Sequence, residues 1–271
     1  MTGLCRPCKG HISRSFFIQL DHCAVVCVVY HSLFFLSRQN RMEITINHLA
    51  CSHDWETHHY EVPAPKCLVL GSFNPKIDSN SGVPFYYCRP PERGGGNRLW
   101  PTVTKALSME KNCRENEHAR LAAMQRGKFI FMDLIDSLTI SSANSGATEL
   151  YHDTEIASFS DSALWASRSK GINIHRTYNT RIFDVIKRYR ESLQYVVFTL
   201  GPTGLDPLIK RNNHGSLSRR DKQWVQFYSQ LVEICTFIDT LTLVTETCSP
   251  APQGCSNERL RDWLKTYIIH E

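Results

Sequence analysis

The segment "KCLVLGSF" at residues 66–73 is a continuous apolar run that breaks at a glycine. Three more runs of this kind follow it, namely "KFIFMDLI" (128–135), "QYVVFTLG" (194–201) and "LTLVTET" (241–247). Strands that are apolar throughout, rather than alternately apolar and polar, are typical of a parallel sheet covered on both faces. The sequence therefore predicts four parallel strands.

Segments with helical spacing lie between or after these runs. They are "NRLWPTVTKAL" (97–107), "NTRIFDVIKRYRESL" (179–193), "DKQWVQFYSQLVEICTFI" (221–238) and "SNERLRDWLKTYI" (256–268). The alternation of strands and helices predicts an α/β fold, a three-layer α/β/α sandwich around a four-stranded parallel sheet with right-handed crossovers. We interpret residues 136–180, which are rich in Ser, Thr and Asn, as a crossover with loops.

The chain divides at Met42. Residues 1–41 carry five basic residues against the single acid Asp21, and we interpret them as an extension, disordered or targeting. Residues 42–271 form one globular domain, in which basic and acidic residues nearly balance, so the net charge of +5 does not by itself indicate a nucleic-acid partner. The apolar run at 22–35 is broken and shorter than the roughly 20 residues of a membrane span.

The chain has eleven cysteines, seven of them after residue 41. Cys67, Cys235 and Cys248 lie in or beside apolar runs, where a reduced cysteine behaves as a small hydrophobic residue. This usage favours a reducing, intracellular location and leaves nucleus, cytoplasm and mitochondrion open. Cys5-x-x-Cys8 supplies only half of the four ligands that a structural zinc site needs, so we expect no metal.

Two turn-rich loops leave the first and last predicted strands. They are "GSFNP" (71–75) and "TETCSPAPQGCS" (245–256). Open parallel sheets bind ligands beyond the carboxyl ends of their strands. We therefore expect the two loops to form a clamp at one edge of the sheet, although each by itself is also an ordinary turn.

The order of the motifs "LVLGSFNP" (68–75), "VPFYYCRP" (83–90) and "NRLW" (97–100) resembles the uracil-DNA glycosylase superfamily. It is most similar to the mismatch-specific and hypoxanthine-DNA glycosylase branches. The loop "SPAPQG" (249–254) before the terminal helix resembles the second motif of that superfamily. The similarity covers about residues 66–268.

The resemblance implies a monofunctional DNA glycosylase of base excision repair. Such an enzyme hydrolyses the N-glycosidic bond of a damaged or mispaired base, such as uracil or hypoxanthine, after the base has been turned out of the duplex. It implies DNA as the partner and a bound water as the nucleophile, with no cofactor. We also expect a monomer that does not contact a membrane.

The resemblance also implies the site residues. Asn74 and Asn97 are competing catalytic candidates for positioning the water, and Tyr87 is the stacking aromatic. The implied substrate-binding set is Gly71, Ser72, Phe73, Pro75, Tyr86, Tyr87, Arg98, Ser249 and Pro250. Ordinary structural roles are also open: a turn residue for Asn74, a helix N-cap for Asn97, and core packing for the tyrosines.

The sequence departs from the family pattern at three places. The first motif has no carboxylate, the terminal loop has no histidine, and "PERGGG" (91–96) is inserted. Because an asparagine cannot take a proton at neutral pH, the implied reaction is driven by the leaving group. These departures motivate a second hypothesis, a glycosylase-fold module that binds nucleic acid with weak or no catalysis.

Overall fold

The computed structural model describes residues 42–50, 55–78, 82–89, 97–156, 168–169, 171–200, 222–251 and 255–270. The predictions for residues 1–41, including the Cys5-x-x-Cys8 motif, and the insertion at 91–96 lie outside the described residues. Within the described ranges, no helix is both long and apolar enough to cross a membrane.

The described residues contain eight strands. They are β1 (Met42–Asn47), β2 (Cys67–Gly71), β3 (Phe129–Asp133), β4 (Ile135–Ser142), β5 (Arg168–Ser169), β6 (Ile172–Tyr178), β7 (Tyr195–Phe198) and β8 (Thr242–Val244). Seven α-helices accompany them in these ranges. They are α1 (His58–Glu61), α2 (Leu99–Ala106), α3 (Glu117–Gly127), α4 (Ser145–Tyr151), α5 (Arg181–Arg188), α6 (Lys222–Phe237) and α7 (Asn257–Trp263).

A four-stranded parallel sheet in the order β3-β2-β7-β8 forms the centre of the fold. Every residue of β2 and β3 is buried, because helices cover both faces of the sheet. The four apolar runs and the four helical segments are found where the sequence predicted them. The prediction of a three-layer α/β/α sandwich is therefore confirmed.

A second, antiparallel sheet in the order β1-β4-β6-β5 was not predicted. Its strands β4, β5 and β6 occupy much of residues 136–180, so the interpretation of that region as a crossover with loops missed three strands. In β6, Ile172 and Ile174 are buried while Asn173, His175 and Thr177 are exposed. This alternation with a period of two is the ordinary sign of a strand with one solvated face.

The chain passes from one sheet to the other at a single residue, Leu134. The amides of Leu134 and Ile135 donate to the carbonyls of Gly71 (3.0 Å) and Ser72 (3.1 Å), which continues the pairing beyond β2. The amide of Asn179 donates to Leu134 O at 2.8 Å from the antiparallel side. The carboxyl ends of β2 and β3 therefore lie at the junction of the two sheets.

Two histidines of α1 form hydrogen bonds with backbone groups at the free edge of β3. His58 Nε2 accepts the amide of Phe131 at 3.1 Å, and His59 Nε2 donates to the carbonyl of the same residue at 2.9 Å. Burial lowers the pKa of His58 well below its usual value and that of His59 to about 4. Both rings are neutral at physiological pH, and they close a strand edge that would otherwise offer unpaired backbone groups.

Candidate active site

The four parallel strands end at one edge of the sheet. The register places Gly71 beside Asp133 on the neighbouring strand, and Leu70 beside Phe198. The segments that follow the strands begin at Ser72, Leu134, Thr199 and Thr245. This is the edge at which open parallel sheets place their ligands.

Asp133 is the centre of a hydrogen-bonded cluster at this edge. Only 2% of its surface is exposed. Its Oδ2 accepts from His48 Nε2 at 2.7 Å and from Asn74 Nδ2 at 2.5 Å. His48 Nδ1 accepts the amide of Ala50 at 3.0 Å, so the ring proton is on Nε2, where it is donated to the carboxylate. A buried carboxylate is thus held in place by two side-chain donors.

Further charged groups lie behind His48. Arg181 contacts Asp136 at 2.9 Å and Glu56 at 3.1 Å, and it also donates to Asn179 Oδ1. Burial raises the pKa of Glu56, against the lowering effect of Arg181. Asn179 Nδ2 in turn donates to the backbone carbonyl of Asp133 at 3.2 Å. This network fixes the junction between the sheets.

Gly71 allows the close approach of two side chains. A Cβ at this position would overlap Asp133 Oδ1 and would lie 2.6 Å from Tyr87 Oη. The carboxylate and the phenol are therefore neighbours above the same backbone position. Any other residue at this position would have to displace the Asp133 carboxylate and the Tyr87 hydroxyl.

Tyr87 has a left-handed backbone, with φ of 59°. Thr199 Oγ1 donates to Leu70 O at 3.2 Å and contacts Tyr87 Oη at 2.5 Å, so the tyrosine is the donor of that second bond. The ring is half-buried and packs 5.5 Å from the ring of Phe131. This conformation, which is unfavourable for a bulky residue, brings the ring to the carboxyl edge.

Tyr86 points into the core instead. It is 1% exposed, stacks on Phe131 at 5.8 Å and packs on Trp55 at 4.9 Å. Burial raises the pKa of its phenol well above the usual value, and the hydroxyl has no hydrogen-bond partner among the described residues. The two adjacent tyrosines, both assigned to substrate from the sequence, thus lie in different surroundings.

The rest of the first loop packs onto the start of the domain. Phe73 is 2% exposed, with its ring 5.6 Å from that of His48. Pro75 forms an isolated bridge with His48, and the carbonyl of Asn74 accepts the amide of Leu49 at 2.7 Å. The half-buried Asn74 is therefore fixed through both its backbone and its side chain.

Asn97 is in a different environment from Asn74. Its Oδ1 accepts the amide of Leu99 at 2.9 Å at the start of α2, and its carbonyl accepts from Arg114. It makes no described hydrogen bond to the Asp133 cluster. The N-cap of α2 is Arg98, so Asn97 lies one residue before it and forms a turn with its own side chain.

Arg98 joins the start of α2 to the terminal loop. Its amide donates to Pro250 O at 2.9 Å, and its guanidinium donates to the carbonyls of Ala251 (2.7 Å) and Cys255 (2.5 Å). The same group reaches Asn257 Oδ1 at 2.8 Å. The start of α2 and the terminal loop therefore meet, whereas the clamp prediction concerned the loops at 71–75 and 245–256.

Ser249 and Pro250 are buried in this terminal loop. The Ser249 hydroxyl accepts the amide of Ala251 at 3.3 Å. Because β7 lies between β2 and β8, this loop leaves the sheet about 10 Å from Gly71. The two loops thus border the same edge with the space above one strand between them.

A surface depression of about 360 Å³ lies elsewhere, beside α7. Its lining includes Glu246, Arg259, Asp262, Trp263 and Tyr267, and no member of the Asp133 cluster. It is open and mostly polar, so we place the candidate site at the strand ends, where buried polar groups converge, rather than in this depression.

The sequence interpretation missed Asp133 and His48. The available signal was an acid directly after the apolar run "FIFM", where a buried carboxylate at a strand end suggests function. In the part of the chain that the structure describes, no group of three or more His, Cys, Asp or Glu residues is arranged to hold a metal. Comparisons with protein-family models, with curated proteins and with solved structures gave no match.

Proposed function

We propose that the chain is a monofunctional DNA glycosylase that hydrolyses the N-glycosidic bond of a damaged or mispaired base, such as uracil or hypoxanthine. The observation that carries the proposal is the hydrogen bond between Asn74 and Asp133 beside Tyr87. An amide, a carboxylate and an aromatic ring are the groups that this hydrolysis needs.

Asn74 positions the nucleophilic water, and Asp133 accepts its proton. Asn74 uses Nδ2 on the carboxylate, so its Oδ1 is the atom that accepts a hydrogen bond from the nucleophilic water. The water oxygen bonds to C1′ as the bond from C1′ to the base nitrogen breaks. The base leaves as an anion with the electron pair of that bond, and one water proton passes to Asp133. The carboxylate also stabilises the positive charge that develops on the sugar.

Tyr87 supplies the aromatic face for the extruded base. The bond from its hydroxyl to Thr199 fixes the ring at the edge, and aromatic stacking contributes about 1 to 3 kcal/mol per base. Tyr86, although adjacent, has a ring surrounded by core side chains. The proposal therefore uses Tyr87 alone as the stacking residue.

Arginines near Asn97 favour DNA as the partner. Arg98 and Arg114 donate to backbone carbonyls or an amide oxygen, and neither is paired with a carboxylate among the described residues. Their charge is therefore not neutralised within this part of the molecule. Phosphates of a bound duplex would neutralise it.

The test is release of a base from labelled duplexes that contain uracil, hypoxanthine or mismatched thymine, followed by alkaline cleavage at the abasic site. We expect Asp133→Asn and Asn74→Ala to lower the rate by roughly 10² to 10⁴. Asn97→Ala is expected to lower it much less. Asp184→Asn, at an exposed position of α5, is the matched control for the aspartate change. If the unaltered chain releases none of the three bases, the proposed glycosylase activity is wrong.

A second candidate function is binding of nucleic acid without catalysis. The observation in its favour is that Asp133 is 2% exposed and already accepts two hydrogen bonds on one oxygen, as a purely structural carboxylate would. Gel-shift binding to abasic or mismatched duplex without any base release would support it. Absence of binding to every nucleic acid would exclude both functions.

A further inference from the structure

Cys248 and Cys255 bring their sulfurs together across the terminal loop. Six residues separate them in "CSPAPQGC", and the two Sγ atoms are 2.7 Å apart. Both are free thiols. Among the described cysteines, a hydrogen-bonded contact between two sulfurs is found for this pair.

The surroundings hold both thiols in this arrangement. Cys255 Sγ donates to Ser249 O at 3.2 Å, across the loop from its own backbone. The carbonyl of Cys255 accepts from the Arg98 guanidinium, as does that of Ala251. The loop is therefore closed by polar contacts that do not depend on a bond between the sulfurs.

The two thiols differ in their access to solvent. Cys248 is 1% exposed, whereas Cys255 is half-buried and within reach of a small reagent. Burial, with a further effect of the neighbouring thiol, raises the pKa of Cys248 to about 12. Because Cys255 is the thiol that a reagent in solvent can reach, it is the residue that reacts first.

We propose that Cys248 and Cys255 are a redox-active dithiol that a small disulfide, such as oxidised glutathione, converts into an intramolecular disulfide. Cys255 attacks one sulfur of the reagent and releases the first glutathione thiol, leaving a mixed disulfide. Cys248 then attacks Cys255 Sγ and displaces the second glutathione thiol. The protein loses two electrons and two protons, and the reagent becomes two thiols.

The disulfide would join the two ends of the terminal loop covalently, in the conformation that contacts Arg98. This loop carries Ser249 and Pro250 at the carboxyl edge of the sheet, and its closed form would persist when the contacts of the Arg98 guanidinium break. Closing a short loop removes conformations from the unfolded chain, so the oxidised protein would also unfold at a higher temperature. The chemistry is independent of the proposed glycosylase activity.

The test equilibrates the full chain in glutathione buffers of increasing oxidised fraction, quenches with acid, alkylates the remaining thiols and maps the peptides. We expect Cys248 and Cys255 to lose alkylation together, in a peptide that is lighter by two hydrogens. With Cys248→Ser, Cys255 is expected to stop at the glutathione mixed disulfide. With Cys255→Ser, Cys248 is expected to stay reduced, and Cys235→Ser is the control that leaves the pair unchanged.

Thermal unfolding of the oxidised and reduced chain gives a second measurement. The oxidised form is expected to unfold several degrees higher, and the difference is expected to vanish in Cys255→Ser. The proposal is overturned if both thiols stay alkylatable at every buffer ratio, or if Cys255 of the unaltered chain stops at the mixed disulfide. Neither result depends on whether the chain cleaves DNA.

Discussion

Asn74 and Asp133 are 59 residues apart in the chain, and Nδ2 of the asparagine lies 2.5 Å from Oδ2 of the aspartate. The first motif contains no carboxylate, but the neighbouring strand supplies one at the same place. The parallel register of β2 and β3, which pairs Gly71 with Asp133, is what brings them together. A carboxylate that the motif lacks along the sequence therefore lies beside the motif in the folded chain.

Gly71→Ala tests the close approach at the centre of the site. An added methyl group would overlap the Asp133 carboxylate and crowd the Tyr87 hydroxyl, and overpacking of this kind costs about 1 to 3 kcal/mol. We expect a lower free energy of unfolding in urea and a loss of any base release. Gly82→Ala is the control, because a methyl group there meets no atom within 4 Å. Equal stability of the two variants would contradict the close packing described above.

Tyr86→Phe and Tyr87→Phe compare what the hydroxyls of two adjacent tyrosines contribute to the free energy of unfolding. The Tyr86 hydroxyl is buried without a partner, so its removal is expected to leave the free energy of unfolding unchanged or to raise it. The Tyr87 hydroxyl donates to Thr199, and its loss is expected to cost about 1 kcal/mol. Urea unfolding measures both changes. The opposite order would contradict the environments described for the two hydroxyls.

The parallel sheet and its ligand edge were predictable from the sequence because they follow from local patterns. Each of the four runs is apolar throughout, and the carboxyl ends of parallel strands always share an edge. The antiparallel sheet was missed although "INIHRTY" in β6 alternates clearly, because the surrounding Ser-, Thr- and Asn-rich composition was taken to indicate loops.

The Asp133 cluster depends on contacts that local patterns do not contain. His48 reaches Asp133 across 85 residues of sequence, and His58 reaches Phe131 across 73. Neither histidine belongs to a motif, and both act through the packing of the N-terminal part of the domain on β3. The different directions of Tyr86 and Tyr87 follow from one left-handed backbone position, which the residue type does not indicate.

Stability is expected to fall with acidification because of His59. Its pKa is lowered by burial to about 4 in the folded chain, against a usual value of 6.5. Between these values the unfolded chain binds more protons, so the contribution is complete above pH 6.5 and is lost as the pH falls towards 4. The expected loss is about 3 kcal/mol, measured by urea unfolding at several pH values.

His59→Gln provides the comparison for this pH effect. The glutamine amide can still donate to the Phe131 carbonyl but does not titrate, so the dependence on pH between 6.5 and 4 is expected to be shallower. His118→Gln changes an exposed histidine and serves as the control. An unchanged slope in His59→Gln would assign the acid sensitivity to other groups, of which the buried His58 is the first to examine.

Arg114→Gln tests whether the arginines near Asn97 meet DNA phosphates. Arg114 is half-buried and donates to the Asn97 carbonyl, with no carboxylate partner among the described residues. Losing one phosphate contact is expected to lower affinity for all duplex sequences alike and to reduce the slope of log affinity against log salt by about 1. Fluorescence anisotropy with labelled duplex at several salt concentrations measures both quantities. Arg190→Gln is the control, because Arg190 is exposed and precedes β7 at the opposite, amino edge of the sheet. If the two variants show the same salt slope as the unaltered chain, DNA does not contact the protein at the start of α2.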